Sequence, residues 1–268
     1  LAMIGCQLFD GNENEVLPAA LALEVFHNFT LLHDDVMDKA EVRRGRPTVH
    51  VKWDENNAIL SGDQMLIEAY KLLSNVPAAK LPTVLQLFNK MATEICEGQQ
   101  YDVDFESQEA VNIEEYLHMI RLKTSVLLGT ALQIGADIAG ADQEAQRAIY
   151  DFGINVGLAF QIQDDILDVW GDPATFGKAV GGDIACNKKT FVFLTALQMA
   201  DIDHRRTLEN WYSRVLTDNT QKIAAVKSIF EAVGVRKACE EKVNEYTETA
   251  MAILANLPQN AATKELRK

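Results

Sequence analysis

Two short acidic segments of this sequence have the residue types and the spacing to bind divalent metal ions. Each holds three aspartates in the pattern D-D-x-x-D: Asp34, Asp35 and Asp38 in DDVMD, and Asp164, Asp165 and Asp168 in DDILD. On a helix, positions i and i+4 lie one turn apart on the same face, so each acidic pentad can present two carboxylates in one direction. Crowded carboxylates repel one another unless a cation is present, so the pentads predict a divalent metal site.

The donor chemistry favours Mg²⁺, because hard oxygen ligands suit it and it is usually held by one or two carboxylates together with phosphate oxygens. We therefore expect several Mg²⁺ ions to bridge the two pentads through a polyphosphate ligand. A single D-D-x-x-D segment is at least as often a solvated helix end as it is a metal site. Two copies, each after an apolar helix and before a basic loop, favour the metal site. A di-iron bundle would need E-x-x-H pairs in register with the pentads, and the sequence has none.

The elements that must position the pentads are helices, because apolar residues recur at helical spacing almost throughout and no convincing strand is predicted. The sequence predicts helices at 17–39, 57–75, 80–106, 112–138, 142–170, 189–201, 203–216, 218–232 and 234–257. The helix 17–39 over its first four turns, and the helix 142–170 from Ile149 to Ile166, are apolar on nearly every face, and both helices end in the pentads. We expect an all-α, single-domain bundle over 1–268, with a polar site at one end of its core.

Composition narrows the class of protein. The chain has 268 residues, 48% of them apolar, and a formal net charge of −14, which disfavours nucleic acid and anionic membrane surfaces as partners. The four cysteines are scattered without a C-x-x-C pair, which favours a reducing, cytoplasmic location over a disulfide framework or a zinc site.

The most apolar stretch, residues 16–32, is interrupted by polar side chains and runs into aspartates. It therefore predicts a buried helix and no stable membrane insertion. The chain opens on Leu1 without a signal-like leader, so we expect that its natural N-terminal segment precedes it.

The motifs resemble those of the trans-isoprenyl diphosphate synthases, the polyprenyl synthetase family that includes farnesyl and geranylgeranyl diphosphate synthases. The resemblance lies in DDVMDKAEVRRGRPTVH at 34–50 and FQIQDDILDVWGD at 160–172, and it spans nearly the whole chain. It implies an isoprenoid synthase-like fold around a deep central cavity, in a homodimer. The implied activity joins isopentenyl diphosphate to an allylic diphosphate, with three Mg²⁺ ions at the active site.

The resemblance also implies roles for single residues. Arg43 and Lys123 match ligands of the allylic diphosphate, and Thr124 matches a residue that lines the cleft. Arg44 and His27 match ligands of isopentenyl diphosphate, and His27 lies two helical turns before Asp34. Two further locations match substrate-binding residues. One is Gln161, one turn before the second pentad. The other is the loop that closes over the diphosphate, with Lys178 and Lys188.

The sequence departs from the family pattern in two places. The family has a G-G-K-x-x-R-P segment that binds isopentenyl diphosphate before the region where this chain starts, and no such segment is found here. Asn187 stands where the family often has glycine before Lys188, and asparagine tolerates positive φ better than most residues.

Product length should depend on what blocks the cavity below the first pentad. In the family, an aromatic residue five positions before the pentad, with a small residue four positions before it, is a pattern that resembles geranylgeranyl more than farnesyl diphosphate synthases. Phe29 and Thr30 match that pattern, which disfavours a long polyprenyl product. The alternatives are a farnesyl diphosphate synthase, or a Phe29 that only packs in the core while another helix forms the cavity floor.

Three rival functions remain to be weighed. A terpene cyclase would replace the second pentad with an N-x-x-x-S-x-x-x-E type of metal site, and DDILD disfavours that. A non-catalytic subunit of a heteromeric prenyl synthase is expected to have lost an aspartate or the arginines Arg43 and Arg44, all of which are present. A structural helical bundle should not gain thermal stability from a bisphosphonate with Mg²⁺.

Overall fold

The computed structural model of the chain describes residues 1–172 and 180–268. The structure is 77% helical, so the predicted all-α class is confirmed. The helices in chain order are α1 (Ala2–Leu8), α2 (Glu13–Met37), α3 (Val49–Lys52), α4 (Glu55–Leu73), α5 (Leu81–Ser107), α6 (Ile113–Ile120), a π-helix (Arg121–Ser125), α7 (Val126–Ala139), α8 (Gln143–Trp170), α9 (Gly182–Ala185), α10 (Phe191–Met199), α11 (Ile202–Tyr212), α12 (Thr220–Ala232), α13 (Val235–Ala255) and α14 (Ala261–Leu266).

The chain forms two compact units. The first comprises Leu1–Lys90, Gly129–Tyr150 and Leu254–Lys268, and it contains the first acidic pentad. The second comprises Met91–Leu128 and Asp151–Ile253, and it contains the second pentad. A single domain over 1–268 stays a prediction.

The long helix α2 carries the first pentad at its C-terminal end. Its N-cap residue Asn12 accepts a hydrogen bond from the Asn14 amide, which satisfies one of the free donors of the first turn. Val16, Leu23 and Phe26 are buried in the core of the first unit. Leu17 is 44% exposed, so the helix is only partly buried there.

Within the described residues, α2 is also the one helix long and apolar enough to cross a bilayer by length and composition. Core helices of soluble proteins commonly pass the same test, so this property is weak evidence for a membrane span.

Helix α4 packs against α2 in the first unit. The His33 side chain on α2 lies 3.0 Å from the Ile59 carbonyl oxygen on α4. Gly62 leaves the room for this contact, because a Cβ atom there would overlap the imidazole ring. A histidine next to the first pentad is thus held by the neighbouring helix.

Several features of the chain differ from the sequence-based expectation. Four short helices, α1, α3, α9 and α14, lie outside the predicted ones. Residues 42–47, predicted as part of an irregular loop, form a short antiparallel hairpin in which Val42–Arg43 (β1) pairs with Arg46–Pro47 (β2). Two-residue strands are too short to show an alternating pattern, so they could not be predicted from periodicity. The predicted continuous helix 112–138 is interrupted by the π-helix Arg121–Ser125.

Candidate active site

Asp165, the central carboxylate of the second pentad, is buried and fully engaged by the protein. One of its oxygens, Oδ2, accepts hydrogen bonds from the Tyr116 hydroxyl at 2.6 Å and from the Phe191 amide at 2.9 Å. The other, Oδ1, accepts from Gln161 Nε2 at 3.4 Å. Burial raises the pKa of Asp165 to about 7, although these hydrogen bonds act in the opposite direction. Asp165 therefore joins α8 to α6 and α10.

The other two aspartates of this pentad have different surroundings. Asp164 is half-buried, and its side chain makes no hydrogen bond within the described parts of the chain. Asp168, one turn further along α8, accepts a hydrogen bond from the Asp183 amide at 3.1 Å, and its carbonyl accepts one from the Gly181 amide at 2.6 Å. Asp164 is thus the carboxylate of this pentad with the most unused acceptor capacity.

The π-helix carries Lys123 and Thr124, the two residues matched to the allylic diphosphate and the cleft. The neighbouring helices approach it closely at two glycines. A Cβ atom on Gly98 of α5 would overlap the Lys123 backbone, and one on Gly157 of α8 would lie 2.6 Å from the Ser125 Cα. The wider turn therefore forms where both neighbours lack side chains, and π-turns of this kind are frequent at functional sites.

The side chains of this turn are held by partners from other helices. Lys123 Nζ donates to the Asp102 carboxylate on α5 at 2.6 Å. The Thr124 hydroxyl donates to Gln161 Oε1 at 3.2 Å, and Gln161 also contacts Asp165. The structure thus links Thr124 and Gln161 to the second pentad inside one unit, while the adjacent Lys123 is paired with Asp102.

Sequence reasoning missed Tyr116, Asp102 and Asp183 as partners in this cluster. Tyr116 and Asp102 lie on other helices, far from the second pentad in sequence, and no local motif connects them with it. The spacing of Tyr116 from Lys123, two helical turns, could have indicated that both belong to one face of a continuous helix.

The loop after the second pentad is described from Val180 onward. Lys178 lies outside the described residues. Lys188 follows Asn187, which has φ of +60° and so adopts the left-handed conformation that the glycine of the family pattern would favour. The Lys188 amide donates to the Asp183 carbonyl at 2.9 Å.

In the first unit, Arg43 bridges the first pentad. Its Nε lies 2.8 Å and its Nη2 2.7 Å from Asp35 Oδ1, and Nη2 lies 3.4 Å from Asp34 Oδ2. Asp35 is buried, so the guanidinium offsets the cost of placing two carboxylates side by side. The structure thus places Arg43 with Asp34 and Asp35, while Asp38 lies at the end of α2.

The hairpin turn explains how Arg43 reaches the pentad. Its two central residues, Arg44 and Gly45, have φ of +52° and +73°, the positive values that a type I′ turn requires. Arginine is an uncommon residue in this conformation.

His27, Phe29 and Thr30 lie on α2 before the pentad. Burial lowers the pKa of His27, and the nearby positive charges of Arg44 and Arg43 lower it further against the influence of Glu24. His27 and the two arginines therefore share one neighbourhood. The Thr30 hydroxyl donates to the His27 carbonyl at 2.8 Å. The Phe29 ring lies 5.4 Å from the Phe26 ring and 4.8 Å from the His33 ring, measured between centroids.

The carboxylates of the two pentads have the donor chemistry for Mg²⁺ held jointly with a phosphate ligand. In residues 1–172 and 180–268, no three His, Cys, Asp or Glu side chains converge on a point that could hold a metal ion. Mg²⁺ seldom uses an all-protein cage and is commonly bound through one or two carboxylates plus substrate phosphates. Asp34, Asp35, Asp164 and Asp168 supply such carboxylates.

Comparisons with known proteins agree with these motifs. A family profile described as polyprenyl synthetase matches residues 1–233. A short chain isoprenyl diphosphate synthase of Methanocaldococcus jannaschii is 43% identical over 209 residues, which cover 78% of this chain and 64% of that protein. A geranylfarnesyl diphosphate synthase of Aeropyrum pernix is 36% identical over 99% of this chain and 85% of its own length. The chain thus spans less than two thirds of the first of these relatives.

Solved structures show the same likeness. The crystal structure of a geranylgeranyl pyrophosphate synthase is 46% identical and superposes with a TM-score of 0.94, covering 99% of this chain and 82% of that one.

Proposed function

This chain belongs to the polyprenyl synthetase family, and we propose that it joins isopentenyl diphosphate to an allylic diphosphate in a Mg²⁺-dependent condensation. The observation that carries the proposal is the pair of aspartate pentads at the ends of α2 and α8, each with basic residues close by in sequence. The hydrogen bonds from Thr124 to Gln161 and from Gln161 to Asp165 of the second pentad support it, as does the Lys123–Asp102 ion pair on the neighbouring helix turn.

The residues of the chain have distinct tasks in this proposal. Bound Mg²⁺ supplies charge stabilisation to the diphosphate as it leaves the allylic carbon. Arg43 and Lys123 hold the allylic diphosphate, and their charges favour the state in which negative charge grows on it. To bind phosphate oxygens, Arg43 must first release Asp34 and Asp35, and Lys123 must first release Asp102.

Further residues act on the second substrate and on the reaction's surroundings. Arg44 and His27 bind isopentenyl diphosphate, whose double bond attacks the allylic cation. The proton that is then lost goes to the released diphosphate. Lys188 and Lys178 contact the diphosphate and help to exclude water, which would otherwise quench the cation.

We propose geranylgeranyl diphosphate as the product. Phe29 on α2, packed between Phe26 and His33, supports a bulky floor below the first pentad. Phe26 is in turn buried against Phe88 of α5, with ring centroids 5.1 Å apart, so the aromatic side chains form a continuous layer. A floor built of rings in tilted and edge-to-face contact limits the length of the growing chain.

The same proposal includes three Mg²⁺ ions per active site, a homodimer and a cytoplasmic location. The homodimer is supported by apolar side chains that α4 exposes, among them Leu60 at 67% and Ile67 at 53% exposure. The net charge of −14 and the four free cysteines support the location.

The test is a product assay on the protein with Mg²⁺, isopentenyl diphosphate and allylic starters of five, ten and fifteen carbons. We expect a twenty-carbon linear alcohol after dephosphorylation, its loss in Asp34→Ala and Asp164→Ala, and longer products from Phe29→Ala. A fifteen-carbon product would retain the enzyme class and contradict the role of Phe29. No condensation by folded protein from any starter would reject the activity and favour a non-catalytic subunit.

A further inference from the structure

Lys222 on α12 is a fully buried cation that the proposed chemistry does not use. It is 0% exposed, and the described residues include no carboxylate in ion-pair contact with it. Its Nζ donates to the Asn187 Oδ1 atom and, at 3.3 Å, to the Ala185 carbonyl, and it lies 5.5 Å from the centre of the Tyr212 ring. Burying an ammonium group is costly unless it is hydrogen-bonded, so these contacts must be maintained for the charge to remain there.

All of the oxygen contacts of Lys222 are made to one segment, residues 181–188. The backbone of this segment is hydrogen-bonded within itself: the Ala185, Cys186, Asn187 and Lys188 amides donate to carbonyls three to five residues earlier. Asn187 has φ of +60°, and its Nδ2 also donates to the Arg214 carbonyl at 3.1 Å. Its side chain therefore connects the segment both to α12 and to the end of α11.

The other end of the segment is fixed to the second pentad. Gly181 has φ of +88° and donates to the Asp168 carbonyl at 2.6 Å, and the Asp183 amide donates to the Asp168 carboxylate at 3.1 Å. A Cβ atom on Gly181 would lie 2.7 Å from Cγ2 of Ile223, the residue after Lys222. Helix α12 thus supports both ends of the 181–188 segment.

We propose that Lys222 and Asn187 form a positioning pair, which holds the 181–188 segment in the conformation that places Asp183 beside the second pentad and joins the Lys188 backbone to Asp183. Neither residue touches substrate in this inference. It depends on the proposed function for the diphosphate contact of Lys188, but the placement of the segment can be measured without any activity. The pair also accounts for asparagine where the family pattern has glycine, because glycine would supply the φ but no oxygen for Lys222.

The test compares Lys222→Met, Asn187→Gly, their double variant and Asn187→Asp, with Lys227→Met on the same helix as the control. Lys227 makes no hydrogen bond or ion pair within the described residues. Two quantities are measured: hydrogen exchange of the amides in 181–188, and kcat and KM for each diphosphate substrate. Asn187→Asp keeps an oxygen for Lys222 but loses the donor to the Arg214 carbonyl, so it should recover part of what Asn187→Gly loses.

We expect exchange in 181–188 to rise at least tenfold in both Lys222→Met and Asn187→Gly, and to stay as in the wild type in Lys227→Met. Asn187→Asp should lie between Asn187→Gly and the wild type, because it keeps the contact with Lys222 and loses the bond to Arg214. The KM for the allylic diphosphate should rise tenfold or more, with a smaller change in kcat. The double variant should be no worse than the poorer single variant, because both changes break one unit.

Unchanged exchange in both single variants, or fully additive effects in the double variant, would overturn the pairing. If Lys222→Met does not fold, Asn187→Gly against Asn187→Asp decides alone. An inactive wild type would count against the proposed condensation, while the exchange comparison would still decide the role of Lys222.

Discussion

At the scale of single residues, the three carboxylates of the second pentad do different things although their sequence pattern treats them alike. Asp165 receives hydrogen bonds from Tyr116, Phe191 and Gln161, whereas Asp164 receives none within the described residues. A carboxylate whose acceptor sites are already used by protein donors contributes mainly to the stability of the fold. A carboxylate with unused acceptor sites is available to a metal ion or a ligand.

This difference predicts that replacing Asp165 with alanine destabilises the protein, whereas replacing Asp164 does not. Asp165→Ala leaves the buried Tyr116 hydroxyl and Phe191 amide without an acceptor, which should cost about 1–3 kcal/mol for each group left unsatisfied. Asp164→Ala should leave the melting temperature within about a degree of the wild type, since its side chain has no hydrogen-bond partner in the described residues to lose and such changes rarely exceed about 0.5 kcal/mol.

Thermal unfolding in the presence of EDTA measures both effects without a contribution from bound metal. Tyr116→Phe is the matched control, because it removes the same hydrogen bond from the other side and should lower the melting temperature in the same direction. Equal melting temperatures for Asp164→Ala and Asp165→Ala would contradict the division of roles.

The cysteines give a pH-dependent prediction at the same scale. Burial raises the pKa of Cys239 to about 12. A pKa above the ordinary value means that the native state favours the protonated thiol. Its contribution to stability is therefore complete below about pH 9 and is lost as the pH rises towards 12. At pH 9 the exposed Cys186 should react with a maleimide in the native protein, while Cys239 should not.

Peptide mass spectrometry after brief labelling measures this difference, and labelling in denaturant, where all four cysteines should react, is the control. Rapid native labelling of Cys239 would show that α13 opens readily.

At the scale of elements, the π-helix is held by close approaches of neighbouring helices. Gly98 on α5 leaves space for the Lys123 backbone, and Gly157 on α8 leaves space for Ser125. Gly98→Ala should therefore force α5 and the π-helix apart and destabilise the protein by about 1–3 kcal/mol, the usual cost of overpacking a filled core. It should also displace Lys123 and reduce condensation.

Chemical denaturation and the product assay together measure this effect. The control is Glu97→Ala, at an exposed neighbouring position of the same helix, which should change neither quantity appreciably. If Gly98→Ala kept both the stability and the activity of the wild type, the close contact would have no part in placing Lys123.

The elements also show which features of the fold the sequence could predict. The long helices, such as α2 and α8, were predicted to within a few residues because apolar spacing is a local property repeated over many turns. The 42–47 hairpin and the π-helix were not. Arg43 reaches Asp35 through a turn that depends on positive φ at Arg44, and the π-helix depends on glycines in two other helices.

The candidate site follows the same rule. Motif spacing indicated the aspartates and the basic residues near them, while Tyr116, Asp102 and Lys222 depend on tertiary contacts between residues far apart in sequence. Such contacts have no periodicity that one sequence could reveal.

At the scale of the whole molecule, a net charge of −14 keeps copies of the chain apart unless a specific apolar surface brings them together. Helix α4 offers such a surface, because Leu60 and Ile67 are spaced seven residues apart on one face and are 67% and 53% exposed. A homodimer would bury these side chains, and each buried leucine or isoleucine contributes about 1.5–3 kcal/mol.

The double substitution Leu60→Glu and Ile67→Glu should therefore yield a monomer, because it replaces apolar burial with four like charges across a two-fold interface. Light scattering coupled to size-exclusion chromatography should give about twice 29.8 kDa for the wild type and 29.8 kDa for the variant. Val215→Glu, at a position 94% exposed between α11 and α12, adds one negative charge per chain elsewhere, half of that in the double variant, and should remain a dimer. A dimeric double variant would place the interface on another face, and a monomeric Val215→Glu would show that added charge alone drives dissociation.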